Sequence, residues 1–136
     1  AESLLREAVE INTEVHGDDH PEVADSMTLL ASCLVEQERF DEAYELAGAA
    51  RQMLESALPD GHWKTALAAS AEGAALAGLQ EYADAEALLL DSYTVLSNDD
   101  RAMQALVDKA GERLVSLYEA WGKPEKAAEI LIMSKK

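Results

Sequence analysis

The chain has 136 residues, of which 49% are apolar and 5% aromatic, with 3 Pro, 7 Gly and a single Cys. That is single-domain size with enough apolar content for a continuous core, and its many Ala residues with no β-branched runs point to closely packed helices, an all-α fold. Residues 1–100 carry 4 Lys/Arg against 22 Asp/Glu and residues 101–136 carry 7 against 5, for a net charge of −16. A face that grips nucleic-acid phosphates or anionic lipid needs basic residues, so the first hundred residues exclude both partners.

Taken in chain order, the residues repeat with a period of 42: Ala1, Ala43, Ala85 and Ala127 are one position, and Leu4, Leu46, Leu88 and Ile130 another. His20 recurs as His62, and Leu34 as Leu76 and Tyr118. No insertion breaks this spacing. A fixed period of this kind marks stacked supersecondary units, none able to bury its apolar face alone. Within a unit, Val23, Ala24, Met27, Leu30, Ala31 and Leu34 follow helical spacing, Glu38-Arg39 interrupts it, and Ala43, Leu46, Ala47, Ala50, Met53 and Leu54 resume it. Pro21 suits a first helical turn, and His20 and His62 suit helix caps. The period predicts seven helices, at roughly 2–16, 21–37, 40–56, 62–79, 82–97, 100–121 and 124–134. The sixth is expected to start early, on the capping residues Ser97-Asn98-Asp99-Asp100. Ala31, Ala43, Gly73 and Ala85 are expected at close helix crossings.

Reactive chemistry finds little support. His20 and His62 stand at equivalent edges of successive units, so with Asp18, Asp19 and Asp60 they do not converge on a metal. Cys33 falls on an apolar helix side, and no Ser has a His on its own face. No cofactor motif is present. The expectation is a non-catalytic protein without cofactor or metal. Lone Cys33 leaves no internal disulfide, and no long apolar span or signal pattern occurs, so a cytoplasmic location is expected. The chain begins in mid-repeat and reads as a piece of a longer protein. Glu72 stands where other units have Leu30 and Leu114, and is expected either to face a ligand, to pair with Lys109 or Arg113, or to lean into water.

Met27, Leu30, Ala31, Leu34, Phe40, Ala43 and Ala50, then Gly73, Leu76, Tyr82, Ala85 and Leu89, then Leu114, Tyr118, Gly122, Ala127 and Leu131 give the pattern. It resembles the tetratricopeptide repeat. The 42-residue period, longer than the usual 34 or so, and Gly17-Asp18-Asp19-His20-Pro21 are similar to the kinesin-light-chain subclass, which is widespread in bacterial signalling proteins. The resemblance implies a right-handed superhelix of antiparallel helix pairs over residues 1–136: a partial repeat at 1–16, then repeats at 20–58, 62–98 and 100–134. It makes the first helix of each unit line a concave groove for a peptide or helix of a protein partner. The groove positions are Asp25, Thr28, Ser32, Val35 and Glu36; Leu67, Ser70, Ala74, Ala77 and Gly78; and Lys109, Glu112, Ser116, Glu119 and Ala120. The family's Lys, Arg and Asn clamp for an acidic peptide end is not matched. Small apolar residues flanked by acids suit an apolar or basic partner. The alternative is a spacer or self-association region of a multidomain signalling protein, for example one with an upstream serine/threonine kinase domain. Apolar residues at the two ends, Leu4 and Leu5 and then Ile130, Leu131 and Met133, suit a homodimer through a terminal helix.

Overall fold

The computed structural model describes residues 2–17, 20–100 and 102–134, so Asp18 and Asp19 lie outside the described residues. Among these the chain forms seven α-helices and no strand: α1 (Glu2–His16), α2 (Pro21–Glu36), α3 (Phe40–Ala57), α4 (Trp63–Gly78), α5 (Tyr82–Asn98), α6 (Gln104–Ala120) and α7 (Pro124–Ser134).

Each helix packs on the next in sequence, and α4 also packs on both α2 and α6. The alternate helices α3 and α5 make no such contact with one another. Helices α2, α4 and α6 therefore form a tighter layer than α3 and α5, and a stack closer on one side curves toward that side. The arrangement is that of a tetratricopeptide-like α–α superhelix, with α2, α4 and α6 on its concave face.

Residues without bulk bring the layers together. Ala24, Ala31, Ala43, Ala47, Ala50, Ala68, Ala71, Ala75 and Ala85 have no exposed surface. Between these crossings sit wholly buried leucines, among them Leu54, Leu89, Leu96, Leu114 and Leu117. Burying each leucine contributes about 1.5–3 kcal/mol. Gly73 shows how close the approach is: a Cβ there would lie 2.8 Å from Leu89 Cγ and 3.0 Å from its Cδ2.

The helix ends repeat with the core. His20 and His62 are the N-caps of α2 and α4, each accepting through Nδ1 from the amide two residues on, Glu22 and Lys64, at 3.1 Å. The turn inside each unit carries one left-handed residue, at Glu38 (φ 61°), Gln80 (φ 66°) and Gly122 (φ 78°). The amide following each one donates back five residues, Arg39 to Leu34 at 2.9 Å, Glu81 to Leu76 at 2.9 Å and Lys123 to Tyr118 at 2.7 Å. These bonds satisfy a carbonyl left over at the helix end.

Two expectations fail. The sixth helix does not start early: α6 begins at Gln104, after an N-cap Met103 that makes no side-chain capping bond. Asn98 instead belongs to the last turn of α5, its Nδ2 donating to the Thr94 carbonyl at 2.9 Å, and Ala102 N turns back onto Asp99 O at 3.1 Å. Packing of α6 in register with α2 and α4 outweighs the capping residues upstream. Nor is Ile130 uncovered, being 5% exposed, whereas Leu131 and Met133 are exposed. At the other end Leu4, Ile11 and Val15 are exposed, while Leu5 and Val9 pack against Leu30, Leu34 and Ala43.

The packing sets opposite outcomes for one substitution at two helical glycines. In Gly48→Ala the new Cβ meets Glu72 Oε1 at an ordinary 3.7 Å, so the gain in helix propensity, about 0.5–1 kcal/mol, should raise the melting temperature by a few degrees. In Gly73→Ala the Cβ collides with Leu89, and overpacking at about 1–3 kcal/mol should outweigh that gain and lower it. Thermal denaturation followed by circular dichroism checks both signs.

Candidate interaction groove

A groove of about 480 Å³ lies on the concave face, lined by Val35, Glu36, Glu38, Phe40, Ala74, Ala77, Gly78, Lys109, Glu112, Arg113, Ser116, Leu117 and Ala120. It draws on α2 and its turn, α4 and α6, the layer that curvature turns inward. The small residues of α4 make its floor. The Phe40 ring, on the first residue of α3, reaches to Gly78, where any Cβ would run into the ring. The groove thus depends on Gly78 having no side chain.

Of the residues expected from sequence, the structure brings Val35, Glu36, Ala74, Ala77, Gly78, Lys109, Glu112, Ser116 and Ala120 together there. The others are placed differently. Asp25 is paired with Lys64 at 3.0 Å. Thr28 is buried, its hydroxyl donating to Ala24 O at 2.9 Å, and Leu67 packs against the core of the later units. Glu119 is exposed outside the groove lining. Ser70, 1% exposed, and Ser32 serve as acceptors for a residue the sequence reading did not place in the groove, Arg113.

Arg113 rises from α6, donates from Nη1 to Ser70 Oγ at 2.9 Å and from Nη2 to Ser32 Oγ at 3.1 Å, and so spans three units. Its neutral partners do not balance its charge. Burial pulls its pKa down to about 10, while Glu36 and Glu112 oppose that shift from a distance. It remains a cation at neutral pH. One turn earlier, Lys109 Nζ bonds Glu36 Oε1 at 2.8 Å. That hydrogen bond, reinforced by the lysine's charge, holds the Glu36 carboxyl below the usual carboxylate range. The 42-residue spacing offers the signal that finds Arg113, since it is the counterpart of Leu29 and Ala71. Leu29 is 59% exposed and lies on the Asp25, Ser32 and Glu36 side of α2.

Glu72 does not face the groove, and its partner is neither Lys109 nor Arg113. It is buried between α3 and α4, where Arg51 Nε and Nη2 donate to its two oxygens at 2.6 and 3.2 Å. Arg51 also bonds Glu55 at 2.7 Å. The Glu72 hydrogen bond is the largest cause raising the Arg51 pKa. Gly48 of α3 lies beside this carboxylate, where an added Cβ would sit 3.7 Å from Glu72 Oε1.

Among the described residues no group of three or more His, Cys, Asp or Glu side chains is placed to hold a metal ion, and no helix is long and apolar enough to cross a membrane. A family model described as a tetratricopeptide repeat matches residues 1–56. This stretch is similar to a tetratricopeptide repeat. It covers α1, α2 and most of α3, including the groove wall from Val35 to Phe40. Tetratricopeptide repeats are generally non-catalytic protein–protein interaction modules. A search of curated proteins finds no match.

The buried pair predicts an asymmetry. Arg51→Met leaves Glu72, its side chain 7% exposed, charged without a partner, and should cost up to about 3–5 kcal/mol. Glu72→Leu restores the apolar residue found at Leu30 and Leu114, and Arg51, 28% exposed and still near Glu55, can turn to water. That substitution should stay within about 1 kcal/mol of the parent chain. Urea denaturation of the two variants measures the difference.

Proposed function

We propose that the whole described array is one tetratricopeptide-type interaction module, continuing beyond residue 56 to α7, and that it binds a partner's peptide or helix in its concave groove. The observation that carries this reading is the groove itself, an open space of about 480 Å³ lined by α2, α4 and α6 from three successive units. A surface held by stacked helices needs little ordering when it binds, which keeps the entropic cost of association low.

The partner segment is apolar with basic flanks. Ala74, Ala77 and Leu117 give the groove an apolar floor, and Glu38 and Glu112 stand on its walls with no ion pair among the described residues. The net charge of −16 adds a long-range field that speeds the approach of a basic segment and disfavours acidic competitors. The kinesin-light-chain-like, bacterial signalling character, motivated by the 42-residue period, and a cytoplasmic location, motivated by the sequence's lone Cys33 and its lack of a long apolar span or signal pattern, belong to the same proposal.

Selection of a random peptide library on the immobilised chain tests this. Enriched peptides should combine Lys or Arg with apolar residues, and their association rate should fall as salt rises. Ser116→Trp, at an exposed groove position, should abolish their binding without lowering the melting temperature. Peptides that are acidic, or that ignore Ser116→Trp, would overturn the reading.

The exposed Leu4, Ile11 and Val15, on one side of α1, favour a second reading, self-association through that helix. Sedimentation equilibrium should then show dimer at tens of micromolar and monomer for Leu4→Glu/Ile11→Glu. A parent chain that stays monomeric throughout removes it.

A further inference from the structure

We infer that Lys109 and Arg113 form a latch across the concave face, tying the first unit to the third and setting the width of the groove. Helices α2 and α6 are separated by α4 and their backbones make no contact. Two side chains nevertheless cross the gap, Lys109 to Glu36 at 2.8 Å and Arg113 to Ser32 at 3.1 Å, joining residues 73 and 81 apart in sequence. Among the described residues no other hydrogen bond or ion pair ties the first unit to the third, so in a stack of this kind the curvature is otherwise the sum of two adjustable interfaces.

The two crossings differ in kind. The Lys109–Glu36 pair is exposed at both ends, 45% and 66%, and exposed pairs are weak and readily screened. Arg113 is half-buried and rests on Ser70 of α4 before reaching Ser32, so it resists salt better. A latch built this way opens reversibly. Its effect on a groove occupant rests on the interaction reading above; the latch itself is a property of the free chain and stands or falls without a partner.

The test is a distance between α2 and α6 in the free chain. Nitroxide labels at Gln37→Cys and Ala105→Cys, both exposed and outside the groove lining, are placed in a Cys33→Ser background and read by pulsed dipolar resonance. Packed helices slide by about 1–2 Å at an interface, and two interfaces lie between the labels, so opening should lengthen the distance by about 2–4 Å and broaden its distribution. Lys109→Ala/Arg113→Ala should show the full change. Molar salt on the labelled chain with its latch intact should show part of it, which needs no destabilising substitution. The charge-swapped Glu36→Lys/Lys109→Glu should return the short, narrow distance. A purely structural role would lower the melting temperature and leave the distance unmoved. One distribution shared by the parent, the double Ala variant and the high-salt sample would overturn the latch.

Discussion

The close approach of neighbouring helices, made possible by buried alanine and glycine at the crossings of α2 through α5, is the constraint on which the rest of this structure depends. With Ala31, Ala47 and Ala71 wholly buried against one another, α2, α3 and α4 stack at small separation. Gly73 lets α4 close on Leu88 and Leu89 of α5. Close packing on the inner side lets α4 touch both α2 and α6, which curves the stack, and curvature turns those three helices into a groove. The groove's floor is made of the same kind of residue. Alanines that permit packing on one side of α4 leave space on the other, so architecture and binding surface share one compositional cause.

Much of the fold was legible because the period of 42 is exact in residue number and the core uses it literally. Leu34, Leu76 and Tyr118 are all buried, and all accept the same turn-closing hydrogen bond. The capping histidines were legible for the same reason. The left-handed turn residue was harder to read: only Gly122 announces it, while Glu38 and Gln80 adopt the conformation because the unit's geometry demands it. The early start expected for α6 failed on the opposite logic. Ser97, Asn98, Asp99 and Asp100 are good capping residues locally, but a helix starting there would not have been in step with α2 and α4. Tertiary packing decided against local preference.

The groove was legible at the level of faces and less so at the level of side chains. The resemblance to tetratricopeptide repeats pointed to Val35, Glu36, Ala74, Ala77, Gly78, Lys109, Glu112 and Ser116, which the structure gathers in one groove. It did not disclose where long side chains end. Arg113 reaches over two earlier units, and Arg51 reaches from an outer helix to hold Glu72, so a residue's repeat position fixes its Cα but not its charged tip.

The central claim is that α2, α4 and α6 form the surface through which this chain meets its partner. Amide hydrogen exchange, followed by mass spectrometry with and without a peptide enriched on the immobilised chain, tests it most directly. The account predicts added protection in α2, α4 and α6, greatest around residues 109–117 and 74–78, with α3 and α5 unchanged. Protection gained on α3 and α5 with the inner helices unaffected would contradict it.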